Sequence, residues 1–269
     1  MRKRAIALAA AISAAAISAA AGPSPAAAAT SIAAPLPDAD PAIWVVNDHD
    51  TTIYLFGTFH ALDGRSAWFN DEVRTAFAAS DELMLETVVP ERLGPAAKGA
   101  DAPSSYLAAT RRAISAGRSR GMRVGNGADL VLRHAAEYWG KPVGGLESFT
   151  AQLGMFARMP VQPPPRPLGA RQGDSTMDDL SLVMGDMQSA WNRGDWRLFS
   201  AMLTDLRTTS PQSYNLLFAQ RNAHWASWIA QRLQRPGTVF VAVGTGHLVG
   251  RDSVQAKLAL RGFRSARIN

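Results

Sequence analysis

The chain has 269 residues, 47% of them hydrophobic and 19% charged, which suits one large domain with a sizeable core and excludes a mainly disordered chain. Cysteine is absent, so disulfides, thiolate metal sites, a lipidated anchor and a cysteine nucleophile are all excluded. The formal charge of +6 includes Arg2, Lys3 and Arg4; without the first 29 residues it falls to about +3, and the one basic cluster, Arg111, Arg112, Arg118, Arg120 and Arg123, reads as a solvated helix face, so no nucleic-acid partner is expected.

Residues 1–29 have the layout of a signal peptide. A basic start is followed by the alanine-rich run Ala5 to Ala21, and Ala27-Ala28-Ala29 offers small residues for cleavage before Thr30. That run has few large apolar side chains, so it is a poor membrane span, and no later stretch is long and apolar enough. The expectation is a periplasmic or secreted protein with no integral membrane segment after leader removal. Thr30 to Pro41, rich in Ala, Pro and Asp, reads as a spacer, and residues 42–269 as a single domain.

Ile43 to Val46 and Thr52 to Phe56 read as strands joined by the polar turn Asn47-Asp48-His49-Asp50, in which His49 is a turn residue. The second strand ends in Gly57-Thr58-Phe59-His60. Apolar spacing from Trp68 to Ser80 predicts a helix, with Asn70, Asp71 and Glu72 at its start. Glu82 to Glu86 is the next strand, and the order strand, helix, strand predicts a crossover between parallel neighbours. Helices are expected over Ser104 to Ala116, Ala128 to Trp139 and Ser148 to Met159, with breaks at Gly125-Asn126-Gly127 and Gly144-Gly145. Val161 to Arg171 is proline-dense and reads as an extended connector. Three more helices follow, over Thr176 to Asn192, Asp195 to Leu206 and Pro211 to Leu233; their aromatics Trp191, Trp196, Phe199, Trp225 and Trp228 are assigned to the core. A strand from Thr238 to Val243 then runs into Gly244-Thr245-Gly246-His247, and a helix over Ser253 to Leu260 and a short strand over Phe263 to Ile268 close the chain. The expected architecture is α/β: a mixed sheet built from the N- and C-terminal segments, with a large helical insertion between them.

The strand–Gly–Thr–x–His pattern occurs twice, at His60 and at His247. In an open α/β sheet, ligands gather beyond the carboxyl ends of the strands, so two strands ending alike can bring both imidazoles to one site if they are neighbours. Imidazole suits metal ligation or proton transfer near neutral pH. Glu86 ends an apolar strand, where a carboxylate needs a metal or a cation as partner, or else is a solvated terminus. Glu147 follows the Gly-Gly break and is a helix-starting acid, a partner carboxylate or a general base. Arg221 and Asn222 lie in an apolar-striped helix; arginine can pin a substrate oxygen that asparagine orients, or form a surface salt bridge. His134 and His224 are read as structural. The H-E-x-x-H helix, the P-loop and the G-x-G-x-x-G unit do not occur.

The segments Ile53 to His60 and Leu83 to Glu86, then Gly145-Leu146-Glu147 with Gln152, Trp191 to Asp195, Arg221 to Trp225 and Val241 to Gly250, together resemble the bacterial GumN-like branch of the TraB/GumN family, which includes the Tiki proteases. The resemblance spans about Ala42 to Ile268. It implies an α/β fold related to the erythromycin-esterase and ChaN-like group and a metal-dependent hydrolase, most readily a peptidase acting on a peptide or protein substrate. Carried over, His60, Glu86 and His247 would be metal ligands or catalytic groups for Mn²⁺, Co²⁺ or Zn²⁺, whose bound water becomes the nucleophile. Glu147 would be the base or a supporting carboxylate, and Arg221 with Asn222 would bind substrate. The alternative is an exported protein that binds a peptide, a polysaccharide or haem in the same cleft without catalysis; two histidines and two carboxylates also suffice for metal-free acid–base hydrolysis.

Overall fold

The computed structural model describes residues 36–90, 105–160 and 176–269. The expected leader and the proline-dense connector Val161 to Arg171 lie outside these. β1 (Ile43–Asn47) and β2 (Thr51–Thr58) form an antiparallel hairpin. Its turn is closed by Asp48, whose Oδ1 accepts the N–H groups of Asp50 at 3.2 Å and Thr51 at 2.9 Å. His49 there is exposed, as a turn residue should be.

β5 (Gly237–Gly244) lies parallel beside β2, with Gly57 opposite Val243 and Thr58 opposite Gly244. β3 (Glu82–Leu85) pairs with the other side of β5. The sheet order is β4-β3-β5-β2-β1-β6, where β4 is Val143–Gly145 and β6 is Ser265–Arg267. The expected pairing of β2 with β3 is therefore corrected. Helix α1 (Asp71–Ala79, capped by Asn70) connects them, but β5 lies between. The reason is apolar character: Val239 to Val243 are all buried, and a strand that is apolar on both faces belongs in the middle of a covered sheet.

Alternation along the central strands feeds two cores. Phe56, Phe240 and Ala242 point to one, with Trp68, Phe77, Trp191 and Phe199. Ile53, Leu55, Val239, Val241 and Val243 point to the other, with Trp225, Ile229 and Leu258. The helical insertion comprises α2 (Ser105–Arg118), α3 (Ala128–Tyr138), α4 (Phe149–Ala157), α5 (Thr176–Asn192) and α6 (Arg197–Thr209). Pro211 to Arg232 then runs as α7 (Pro211–Tyr214), a π-helical stretch over Asn215–Ala219 and α8 (Gln220–Arg232); α9 (Val254–Ala259) follows β5. Among the described residues, no helix is long and apolar enough to cross a membrane.

Three further local expectations change. Gly144-Gly145 is part of an edge strand rather than a break, because bare backbone is needed there: a Cβ on Gly144 would lie 2.5 Å from Met84 Sδ. Trp196 is 48% exposed, since it sits at the N-terminus of α6 outside the packed stripe. The spacer gives way to packed chain before Pro41, as Asp38 bridges Ala67 and the Asp40 N–H donates to Asn192 O at 2.6 Å.

Candidate functional site

The ends of β2 and β5 are fastened together before either histidine is placed. The Thr245 hydroxyl donates to Thr58 O at 3.0 Å, and the Trp191 indole N–H donates to Gly57 O at 2.7 Å. Gly57 is needed for this approach: a Cβ there would stand 2.8 Å from Thr245 Oγ1. Beyond Gly244, a 3₁₀ turn over Thr245–Leu248 carries His247 into the interior, where it is fully buried; His60 is 5% exposed. The duplicated motif thus delivers both imidazoles to neighbouring strand ends.

Arg221 is the hub. Leu217, Phe218, Arg221, Asn222 and Trp225 all face inward from the Pro211–Arg232 run. The π stretch just upstream leaves Leu217 O to accept from Arg221 Nη1 at 3.1 Å. Nη2 donates to Glu86 Oε2 and to Glu147 Oε1, each at 2.6 Å, Nε donates to Glu147 Oε2 at 3.1 Å, and Nη1 also meets His247 Nε2 at 3.1 Å. All five guanidinium hydrogens therefore have acceptors. The Trp225 ring lies 4.6 Å from the guanidinium carbon and 4.4 Å from the His247 ring, closing the cluster on its apolar side. Glu86 is not a solvated terminus and Arg221 is not in a surface salt bridge; they form a buried ion pair.

Hydrogen-bond logic fixes the tautomer of His247. The Asn222 amide nitrogen donates to Asp252 O at 2.7 Å, so its oxygen faces His247 Nδ1 at 2.5 Å and must accept from it. Nε2 then carries the lone pair and accepts from Arg221. Burial pushes His247 down to about 3 despite the opposing pull of Glu86, with Arg221 and His60 adding to the fall, so the ring is neutral at physiological pH. For Glu86, burial acts upward, but Arg221 above all, then His247, His60 and the Gly244 N–H at 2.7 Å, bring it down to about 2. Burial disfavours the Arg221 charge, yet the two glutamates raise its pKa above the ordinary value.

His60 has a different partner. Its Nδ1 lies 3.0 Å from Asp129 Oδ1, at the start of α3. Sequence reasoning passed over Asp129; the signal was an acid two places after the Gly125-Asn126-Gly127 break. Gln152 donates to Glu147 Oε1 at 3.1 Å, tying α4 to the network. His134 and His224 stand apart on exposed helix faces. Four buried polar atoms beside the network, Thr58 Oγ1, Thr87 Oγ1, Gln152 Oε1 and Trp225 Nε1, have no protein partner, which marks the region as polar enough for water or a polar ligand.

The donor set can be tested for a divalent ion. His247 Nε2 and Glu86 Oε1 are 3.6 Å apart, close enough to share one. However, Nε2 accepts from Arg221, Oε1 accepts from Gly244 and Oε2 accepts from Arg221. A divalent ion about 4 Å from the guanidinium would be repelled by roughly 8 kcal/mol at an effective dielectric of about 20. As arranged, Glu86 and His247 do not fit a metal between them; a fixed organic cation holds its place. Among the described residues, three ligand atoms within ligation distance of one another occur at Asp48, His49 and Asp50, in the exposed hairpin turn.

Searches of curated proteins and of solved structures gave no match. A family model does match, over residues 42–102 and 91–267, which takes in both Gly–Thr–x–His segments, Glu86, Glu147 and Arg221. On that match the chain belongs to the TraB/PrgY/gumN family.

Proposed function

We propose that this chain is an exported hydrolase of amide bonds, acting on a peptide or protein by acid–base chemistry at the joined ends of β2 and β5. The observation that supports it is the pair of imidazoles at adjacent strand ends, each with Nδ1 against a side-chain oxygen, flanking Glu86 and Arg221. His60 is the base. With Nδ1–H held by the Asp129 carboxylate, Nε2 takes a proton from water as the water oxygen attacks the substrate carbonyl carbon. The imidazolium then returns that proton to the leaving nitrogen as the C–N bond breaks. Glu147, the most exposed member of the ion-pair network with its side chain at 13%, shares Arg221 hydrogens that an entering carbonyl oxygen would compete for. Neutral His247 and Asn222 hold the guanidinium in place.

The test is incubation of the purified protein with a mixed peptide library, read by mass spectrometry, with and without a strong chelator and beside His60→Ala. Defined cleavages that survive the chelator and vanish in the folded variant are expected. Binding of library peptides without any cleavage would replace the hydrolase with a binding protein, and cleavage abolished by chelator would put a metal into the mechanism.

A further inference from the structure

We infer that Asp129 is a positioning residue for His60, setting its tautomer and ring orientation; the inference rests on the hydrolase reading for its purpose but not for its test. Three features assemble the pair. Asp129 Oδ1 lies 3.0 Å from His60 Nδ1, with the two side chains 19% and 5% exposed, so water competes little for the bond. The start of α3 is docked on the same backbone, because the Ala128 N–H donates to Phe59 O at 3.1 Å. Gly127 permits that docking: a Cβ there would lie 2.3 Å from His60 O, a contact no side chain tolerates. The helix start is therefore pressed against the end of β2 at the histidine, and Asp129 reaches the ring from it. A carboxylate can only accept, so Nδ1 must carry the hydrogen, and in the neutral ring the lone pair is then on Nε2. Because Asp129 sits in the first turn of α3, its charge also suits the helix terminus, and the test must separate the two roles.

The readout is imidazole nitrogen NMR of the full chain labelled at its five histidines, with His60 assigned by its loss in His60→Gln. In the wild type, His60 should show only the Nδ1–H tautomer. Asp129→Asn, which loses the charge but keeps an acceptor, should retain that tautomer. Asp129→Ala should lose it and give a mixture weighted toward Nε2–H, with the His247 signals unmoved. A wild-type His60 in the Nε2–H form, or an unchanged tautomer in a folded Asp129→Ala, would overturn the inference. The wild-type spectrum decides even if a variant fails to fold. Where the library experiment has supplied a cleavable peptide, Asp129→Ala should lower kcat about 100-fold with KM unchanged, within the range ascribed to positioned acid–base groups. An inactive wild type with the expected tautomer would sink the hydrolase reading and leave the positioning of His60 standing.

Discussion

Replacing Arg221 by methionine removes the guanidinium while keeping much of the side-chain volume, and the consequence can be worked from Glu86. In the fold Glu86 is held at about 2, against 4.5 for an unperturbed glutamate. That difference corresponds to about 3 kcal/mol favouring the folded, ionised state. Because the folded value is depressed, this stabilisation is fully present above about pH 4.5 and is lost as pH falls toward about 2. Without Arg221, burial is the largest influence left and acts upward, so the variant must keep an unpaired buried carboxylate or bind a proton. Breaking a buried pair from one side costs about 3–5 kcal/mol in general, which agrees with the figure from Glu86 alone. The proton can go to Glu86 itself or to His247, whose Nε2 is 3.6 Å from Glu86 Oε1 and is freed from the guanidinium. Either way, the variant should be more than about 3 kcal/mol less stable than wild type at about pH 8, and the gap should narrow toward about 3 kcal/mol as pH falls to about 4.5 and the displaced proton binds. Urea unfolding followed by circular dichroism across that range measures it. A deficit that stays constant with pH, or none at high pH, would refute the account of Arg221 as the cation that keeps Glu86 ionised.

Arg221→Lys should recover only part of the loss, because one ammonium cannot reproduce the fork that spans Glu86, both Glu147 oxygens and His247; the same urea series would show an intermediate midpoint. His247 is depressed from 6.5 to about 3, so its neutral form contributes stability above about pH 6.5 that is lost as pH falls toward 3, up to about 5 kcal/mol; His247→Gln should flatten the wild-type loss of stability between about pH 6.5 and pH 4.5. Gly57→Ala forces a Cβ to within 2.8 Å of Thr245 Oγ1 and 3.3 Å of its backbone, so a loss of about 1–3 kcal/mol in thermal or urea unfolding is expected.

The strands that carry the site were legible because their signal is local. Thr51 to Thr58 and Gly237 to Gly244 have continuous β-branched and aromatic character ended by glycine, and the repeated Gly–Thr–x–His drew attention to their meeting, which the parallel pairing bears out. What sequence did not show was long-range order. The insertion of β5 between β2 and β3 depends on which strand is apolar on both faces once all six are assembled, and the crossover pattern carries no such information. Gly144-Gly145 read as a break because glycine has little strand propensity, whereas the sheet uses it for close approach to Met84. Arg221 was visible as an arginine in an apolar stripe, but its five acceptors come from four separate parts of the chain: the residue after β3, the second residue after β4, the preceding helical turn and the 3₁₀ turn after β5. Asp129 was missed for the same reason: an acid in the first turn of a helix already has a local explanation.

The two copies of the motif are alike in backbone and different in electrostatics, and the proposed division of roles rests on that difference. Each follows a parallel strand, and each histidine turns Nδ1 toward a side-chain oxygen outside the motif. For His60 that oxygen belongs to a carboxylate, which supports the imidazolium formed when a proton is taken up. For His247 it belongs to an amide whose other end is fixed on Asp252 O, while a guanidinium faces Nε2. A ring between a neutral amide and a permanent cation in a dry environment is held uncharged, and it cannot take up a proton without displacing Arg221. In the proposed hydrolysis, proton transfer therefore falls to His60, and His247 is a fixed acceptor that aims Arg221. Exchanging the partners tests this division: Asn222→Asp supplies a carboxylate to His247, so its pKa should rise from about 3, as NMR titration would show. An unchanged His247 in the folded variant would mean that the guanidinium and burial, and not the amide, decide its charge.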